Sequence, residues 1–391
     1  MQIFVPRQTG PDERRVALTP AAAKKLVESK AHVTVQTGAG LGAGHADDAY
    51  TQVGAAVLGD GDADKAWADA DIVLTMAPPT PAQAGAMKQG TVLVGLLAPL
   101  KHKELMQTLA GRGVTAVSME FVPRISRAQA MDVLSSQANL GGYKAVLLAA
   151  HHLAKAMPMM MTAAGTIAPA RVLVIGAGVA GLQAIATARR LGAVVEAYDV
   201  RPVVKEQVQS LGARFVELPM KKTDAEAKGG YAKEQSDEER RQQAELMAKH
   251  VIGADAVVTT AAIFGKAPPM LIPAAVVAKM SAGSVIVDLA ADADAGRGNC
   301  QVTQPGKVIT TENGVIIDGT TNLPSLLSVH ASQVYAQNML AYLKQIVIAP
   351  AKDAPAEAQP ALKIDLSDEV QKGATITHDG AIVNAMVSGA K

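Results

Sequence analysis

The segment from Arg171 to Asp199, RVLVIGAGVAGLQAIATARRLGAVVEAYD, constrains the fold more than any other part of the chain. It reads as a strand, a tight turn, a helix and a second strand, and Gly176, Gly178 and Gly181 give the turn the spacing G-x-G-x-x-G. In such a unit the first glycine permits the turn, the second lets the backbone approach a pyrophosphate, and the third lets the helix pack close to the strand. The segment therefore predicts a dinucleotide-binding unit. A unit of this shape kept only for its structural role is the alternative.

A carboxylate at the end of the second strand bears on which dinucleotide would bind. Asp199 stands near the expected offset of about 20 residues from the glycines. Its carboxylate can accept hydrogen bonds from both ribose hydroxyls and would repel a 2′-phosphate, which favours NAD(H) over NADP(H). Arg201 follows closely and weakens this preference, because a guanidinium attracts a phosphate.

Short apolar runs alternate with helical patterns along most of the chain, as in βαβ folds. One series includes DIVLTM, TVLVGLL and VTAVSM, and a second begins at RVLVI and continues through DAVVTT and SVIVDL. Patterns of long helices cover about residues 128–157 and 323–348. We therefore expect an α/β protein with two Rossmann-like, doubly wound parallel-sheet domains, linked by long helices with a cleft between them. The expected domains are residues 1–136 plus 325–391, and residues 137–324.

Composition limits the class of partner and of site. Hydrophobic residues make up 49% of the 391 residues, and the formal charge of +1 gives no general attraction to nucleic acid. The single cysteine, Cys300, excludes an internal disulfide and a cysteine-based zinc site. No metal site is expected, since His151 and His152 lie in a helical pattern without evident carboxylate partners. No run reaches the roughly 18 apolar residues of a membrane span, so we expect the chain itself to be soluble.

The segment from Pro123 to Gln137, PRISRAQAMDVLSSQ, is rich in hydrogen-bonding side chains. Ser126 and Gln129 have the spacing of a capping box, in which each side chain bonds the backbone of the other at a helix start. Asp132 near a helix start also interacts favourably with the helix dipole. Helix capping therefore explains some of this segment without any further function.

The crowding of the polar groups also favours a binding or catalytic site. Gln129, Asp132 and either Ser135 or Ser136 recur at helical spacing and would share one helix face. Arg124 lies just before this helix and is expected to pair with Asp132. The sequence alone leaves the capping and the site interpretations open.

Both segments, and much of the chain between and after them, resemble the soluble NAD(H)-binding component (domain I, alpha subunit) of the proton-translocating NAD(P) transhydrogenases. These proteins belong to the alanine dehydrogenase/PNT superfamily. The matching strings include ERRVALTP, PRISRAQAMDVLSSQANLGGYKAV, TAAGT, VKEQVQSLGA, GGYAKE and TTENGV. They span nearly the whole chain, and PRISRAQ and GGYAKE are specific to that family.

The resemblance implies an enzyme that binds NAD(H) and passes hydride directly to NADP+. NADP(H) would be bound by a partner subunit, and a membrane-spanning proton-channel subunit would couple the reaction to proton translocation. The resemblance further implies a homodimer in the cytoplasm, peripheral on the inner face of the membrane through these partners. Nucleic acid is not expected as a partner.

The resemblance also assigns residues. Four match the loop that organises the nicotinamide and are expected to be catalytic: Arg124, Gln129, Asp132 and Ser135. Motifs and resemblance together give the expected cofactor-binding set: Arg127, Gly176, Gly178, Val179, Ala180, Gly181, Asp199, Val200, Arg201, Gly230, Tyr231, Gln243, Ala262 and Asn322. Tyr231 matches the tyrosine of a mobile loop that closes on the nucleotide, and residues 218–241 read as such a surface loop.

The chemistry of hydride transfer fits the residue types in PRISRAQAMDVLSSQ. Transfer between two nicotinamides moves no proton to or from a heteroatom, so it needs no general base but does need the two rings held in place. Alanine dehydrogenase is the alternative enzyme. The family resemblance would then place a lysine after DIVLTM and a histidine after TVLV, where Met76 and Leu96 stand. A non-catalytic NAD-sensing subunit is a third class, which would not need the Arg124–Ser135 loop.

Overall fold

The computed structural model describes residues 1–10, 12–217, 237–348 and 360–389, with only the backbone of residues 237–244. The chain divides into two compact units. Unit 1 comprises Met1–Gln137 and Ser325–Lys391, and unit 2 comprises Ala138–Pro324. Within the described ranges, none of the helices combines the length and the apolar character needed to cross a membrane.

Unit 1 is built on a mostly parallel sheet. Its strands, numbered along the whole chain, are β1 (Gln2–Val5), β2 (His32–Gln36), β3 (Ala56–Leu58), β4 (Ile72–Thr75), β5 (Val92–Gly95), β6 (Thr115–Ser118), β16 (Val347–Ile348), β17 (Ala361–Leu362), β18 (Thr375–His378) and β19 (Ala381–Ile382). The sheet order is β3-β2-β1-β4-β5-β6-β18-β19, with β18 and β19 antiparallel to their neighbours. The remaining two strands, β16 and β17, pair separately with each other.

Helices cover this sheet. They are α1 (Pro20–Glu28), α2 (Asp47–Thr51), α3 (Ala63–Asp69), α4 (Pro81–Ala86), α5 (Lys103–Gly111), α6 (Val133–His152), which continues into unit 2, α11 (Ser328–Ile346), α12 (Glu369–Ala374) and α13 (Ala385–Ser388). Adjacent strand residues point to opposite faces, so Val73 packs in one apolar cluster and Leu74 in another. Because both faces are covered, the parallel strands read as continuous apolar runs.

Unit 2 contains a second mostly parallel sheet. Its strands are β7 (Met160–Thr162), β8 (Gly165–Ile167), β9 (Arg171–Ile175), β10 (Val194–Tyr198), β11 (Arg214–Phe215), β12 (Ala256–Thr259), β13 (Val285–Asp288), β14 (Val308–Thr310) and β15 (Ile316–Asp318). Its helices are α7 (Val179–Arg190), α8 (Lys205–Ser210), α9 (Asp237–Ile252) and α10 (Ala274–Val277), together with the second half of α6.

The strand order in unit 2 locates the usual ligand edge of the sheet. The order is β11-β10-β9-β12-β13-β15-β14, in which only β14 pairs antiparallel, while β7 and β8 form a separate hairpin. The chain reverses its direction of winding between β9 and β12, and ligands of open α/β sheets bind at the carboxyl ends of the strands at such a point. The predicted class, two Rossmann-like parallel α/β sheets, is confirmed.

Three element boundaries differ from the expectations. The long helix expected at residues 128–157 is a 3-10 helix at Ser126–Met131 followed by α6, and the one expected at 323–348 ends two residues early because β16 pairs with β17. Helix α9 begins at Asp237, so the last five residues of the expected loop 218–241 are helical.

Candidate functional site

The glycine-rich turn joins β9 to α7 at the point where the strand order of unit 2 reverses. Gly176 has a φ of 99°, which side chains rarely adopt, and a Cβ there would lie 2.5 Å from Oγ1 of Thr260. A Cβ on Gly181 would overlap the carbonyl of Gly176, at 2.8 Å from its carbon. Gly178 directly precedes α7, whose first residue, Val179, has an exposed side chain. The first amide N–H groups of α7 are therefore suited to binding an anion.

Asp199 connects the end of β10 to this turn. Its buried carboxylate accepts the N–H of Ala177 at 2.7 Å and the guanidinium of Arg201 at 2.9 and 3.0 Å. The side chains of Asp199 and Arg201 are only 6% and 15% exposed. Both carboxylate oxygens thus have donors from the protein, and Arg201, expected as a possible phosphate contact, is bound to Asp199.

The loops after β10, β12 and β15 begin at the same carboxyl edge of the sheet. Val200 is half-buried and Ala262 is exposed. The side chain of Asn299 fixes the neighbouring Ala261, accepting its N–H at 3.1 Å and donating to its carbonyl at 2.8 Å. Asn322 is half-buried with a left-handed φ of 51°. The edge is the one expected for nucleotide-binding loops, and the contacts of these residues with a nucleotide stay predictions.

Three expected cofactor contacts cannot be placed as side chains. Gly230 and Tyr231 lie outside the described residues. Gln243 lies in α9, where only its backbone is described. Their roles stay predictions.

A buried carboxylate closes the segment that follows β13. Asp288 accepts the hydroxyls of Thr259 and Thr303 at 2.8 and 2.7 Å and the N–H of Cys300 at 3.0 Å. A Cβ on Gly298 would lie 2.6 Å from the carboxyl carbon of Asp288. Burial raises the pKa of the Cys300 thiol to about 11, so this cysteine is a structural group.

Asp132 organises the polar segment before α6. Its carboxylate accepts the N–H of Ser135 at 2.9 Å and the hydroxyl of Ser135 at 2.6 Å. It thereby caps α6, because it satisfies an amide of the first turn and opposes the helix dipole. The expected capping box between Ser126 and Gln129 was therefore wrong, and so was the single helix face, because Gln129 belongs to the preceding 3-10 helix.

The two arginines of this segment have carboxylate partners within unit 1. Arg124 Nε lies 3.9 Å from Asp132, with the two side chains 37% and 21% exposed, so the predicted pair is confirmed as a loose one. Arg127, expected to bind cofactor, pairs with Asp368 at 2.8 Å. Burial of Asp368 opposes its ionisation, but hydrogen bonds from the N–H of Gln371 and from Arg127 outweigh this and lower its pKa.

Apolar side chains occupy the positions that distinguish the alternative enzyme. Met76 follows β4 and is buried in the unit 1 core, and Leu96 follows β5 and is half-buried against the same cluster. Neither side chain can bind a carboxylate or carry a proton.

Sequence reasoning missed several residues around these loops. A Cβ on Gly142 of α6 would overlap the carbonyl of Ala180 in the first turn of α7, at 2.8 Å from its carbon. A glycine pair inside a helix is a usable signal for such an approach, because glycine there weakens the helix. His152 Nε2 lies 2.9 Å from the buried carboxylate of Asp318, so its expected lack of a carboxylate partner was wrong. That contact joins residues far apart in the chain and leaves no local signal.

Comparisons with known proteins agree with this architecture. The family descriptions Alanine dehydrogenase/PNT, N-terminal domain and C-terminal domain match residues 4–141 and 145–385. A Rhodospirillum rubrum protein, named as the first of the pieces of NAD(P) transhydrogenase subunit alpha, is 46% identical over 396 aligned positions, covering 100% of this chain and 99% of the relative. A transhydrogenase structure from Sinorhizobium meliloti superposes with a TM-score of 0.83 at 41% identity, covering 98% and 100% of the two chains.

Alanine dehydrogenases are more distant. The enzyme of Mycobacterium tuberculosis is 29% identical over 296 aligned positions, covering 75% of this chain and 73% of the relative. The family descriptions match most of the chain and the transhydrogenase relatives cover nearly all of it. The chain therefore belongs to the alanine dehydrogenase/PNT family.

Proposed function

We propose that this chain is the NAD(H)-binding catalytic component of a proton-translocating, Re/Si-specific NAD(P) transhydrogenase. In this proposal NADH bound by the chain donates a hydride to NADP+ held by a partner subunit. The observation that carries the proposal is the group of Arg124, Asp132 and Ser135 at the start of α6. This group can hold and orient a nicotinamide without a proton-transferring side chain.

The unit 2 turn supplies the nucleotide end of the proposed site. Gly176 and Gly181 leave the space that a dinucleotide phosphate and a close helix require. The amide N–H groups at the start of α7 and the helix dipole favour the pyrophosphate. Asp199 accepts the ribose hydroxyls once the guanidinium of Arg201 shares or releases its carboxylate.

The unit 1 segment supplies the nicotinamide end. The carboxylate of Asp132 is fixed by two hydrogen bonds from Ser135, so its position varies little. Exposed Arg124 and Gln129 offer N–H donors and an amide oxygen that complement a carboxamide group. A fixed ring orientation accounts for much of the rate of a reaction in which only a hydride moves.

The proposed assembly extends beyond this chain. We infer a homodimer, an NADP(H)-binding subunit and a membrane-spanning proton-channel subunit, which would hold the chain at the inner face of the membrane from the cytoplasmic side. The full-length likeness to a relative named as one piece of a transhydrogenase alpha subunit supports a divided assembly. Gly230, Tyr231 and Gln243 belong to the same proposal as nucleotide contacts.

An alanine dehydrogenase-like oxidoreductase is the second candidate, favoured by the shared family. It would have to bind a small carboxylate and move a proton on an amine. Met76 and Leu96 offer neither function, which is why we rank this candidate second.

A reconstituted hydride transfer tests the proposal. The purified chain is mixed with an NADP(H)-binding partner domain carrying NADPH, and reduction of an NAD analogue is followed by absorbance. We expect turnover that requires both proteins, and no NADH formation from NAD+ and L-alanine by the chain alone. Alanine oxidation without transfer would instead support the second candidate, and neither activity despite tight NADH binding would support an NAD sensor.

A further inference from the structure

The break between the 3-10 helix at Ser126–Met131 and α6 is bridged by one side chain of α11. The Nδ2 of Asn338 donates to the carbonyl oxygen of Ala130 at 2.7 Å, and its Oδ1 accepts the hydroxyl of Ser136 at 2.7 Å. Ala130 precedes Asp132 and Ser136 follows it. The amide therefore holds both sides of the break that carries the Asp132 carboxylate.

The chemistry of these contacts requires an amide. A backbone carbonyl can only accept hydrogen bonds, so the nitrogen of Asn338 must face Ala130 and the oxygen must face Ser136. Leucine would make neither bond, and aspartate would turn an oxygen towards the carbonyl. The side chain of Asn338 is buried, so water does not readily replace a lost partner.

A second contact fixes the same turn of α6 to α11. The Nε2 of Gln137 donates to the carbonyl of Ala331 at 3.1 Å, and its Oε1 accepts Nη1 of Arg15 at 2.9 Å. Arg15 is itself buried and paired with Glu13 at 2.6 Å. Ser136 and Gln137 thus anchor successive positions of α6, and Asn338 alone extends the anchoring across the break to Ala130.

We propose that Asn338 is a positioning residue for the nicotinamide end of the site, an inference that rests on the proposed function. Asn338 contacts Ala130 and Ser136 and acts through them, by setting where the Asp132 carboxylate and the Ser135 hydroxyl point. A displacement of about 1 Å in such groups can slow a reaction roughly 100-fold. Binding of the nucleotide end by unit 2 does not depend on these contacts.

The test compares three substitutions. Asn338→Leu removes both hydrogen bonds at similar size, and Ser136→Ala removes one of them. The matched control is Asn313→Leu: the Nδ2 of Asn313 also donates to backbone carbonyls, of Val277 and Met280 at 3.1 and 3.2 Å. Asn313 precedes β15 and therefore lies at the amino edge of the unit 2 sheet, opposite the carboxyl ends of the parallel strands.

Each variant is measured for NADH dissociation constant, thermal stability and single-turnover hydride transfer with the NADP(H)-binding partner domain. We expect transfer to be roughly 10- to 100-fold slower in Asn338→Leu and a few-fold slower in Ser136→Ala. NADH affinity should change by less than about twofold in both. Asn313→Leu should lose stability and keep the wild-type transfer rate. If Asn338→Leu does not fold, the rate of Ser136→Ala decides.

Three results would overturn the inference. Wild-type transfer rates in Asn338→Leu or, failing its folding, in Ser136→Ala would show that the bridge does not position the reacting groups. An equal slowing in Asn313→Leu would reduce the effect to general stability. Absence of transfer by the wild-type chain that binds NADH would remove the proposed function, and the inference with it, a result distinct from the first two.

Discussion

Adjacent glycines in α6 should respond in opposite ways to the same substitution. A Cβ at Gly142 would lie 2.8 Å from the carbonyl carbon and 3.0 Å from the Cα of Ala180 and would overlap the carbonyl oxygen. A Cβ at Gly141 would meet only Leu289 and Pro324, at 3.8 and 3.9 Å. We therefore expect Gly142→Ala to destabilise the protein and Gly141→Ala to stabilise it.

The magnitudes follow from these distances. Carbon atoms in contact normally lie about 3.5–4.0 Å apart, so α6 and the first turn of α7 would have to separate by about 1 Å in Gly142→Ala. Overpacking of this kind costs about 1–3 kcal/mol, and we take the upper end because the atoms that clash belong to the backbone. Alanine returns about 1 kcal/mol of helix propensity, which leaves a net loss of about 2 kcal/mol. Gly141→Ala keeps a gain of about 0.5–1 kcal/mol.

Urea denaturation followed by circular dichroism measures the unfolding free energies, and fluorescence titration measures NADH affinity. Because Ala180 lies in the first turn of α7, Gly142→Ala should also weaken NADH binding, by roughly tenfold for about 1.4 kcal/mol. Gly141→Ala should bind NADH as the wild type does. Equal stability and equal NADH affinity in the two variants would refute the close approach of the two helices.

Three further predictions concern the nucleotide, the nicotinamide end and the cysteine. Asp199→Asn should weaken NADH binding about tenfold and narrow its preference over NADPH, because a charged hydrogen bond is lost; equal affinity of the wild type for both nucleotides in fluorescence titrations would contradict its role. Gln129→Ala should slow hydride transfer at least about tenfold with little change in NADH affinity or melting temperature, since the side chain is exposed; a matching loss of stability would point to a structural role. Cys300, whose pKa burial raises to about 11, should resist a disulfide reagent at about pH 8 until the protein is unfolded; rapid reaction of the folded protein would show an accessible thiol.

The sequence predicts those regions of the fold that depend on neighbours in the chain. Gly176 and Gly181 are required by steric constraints inside one strand–turn–helix unit, so their spacing carries the information. The parallel strands are equally readable, because burial on both faces leaves runs such as those around Val73 and Leu93 entirely apolar.

Residues whose partners lie far along the chain were not predictable in the same way. Ser126 with Gln129 and Asp132 with Ser135 both satisfy local rules for starting a helix, and the local pattern does not choose between them. The choice accompanies burial of Met131 and the hydrogen bonds of Asn338, about 200 residues away. The same limit applies to Gly142, whose requirement comes from Ala180 in another helix.

The two carboxylate–arginine pairs of the candidate site differ in a way that bears on ligand binding. Asp199 and Arg201 make two hydrogen bonds of 2.9 and 3.0 Å while nearly buried, so releasing the guanidinium costs more than for an exposed pair. Arg124 lies 3.9 Å from Asp132 and is 37% exposed, so it can turn to a carboxamide at small cost. Each carboxylate is also held by a backbone N–H, of Ala177 or Ser135. A nucleotide would therefore exchange arginine partners and leave both carboxylates in place, which makes Arg201 the group whose movement most strongly limits affinity.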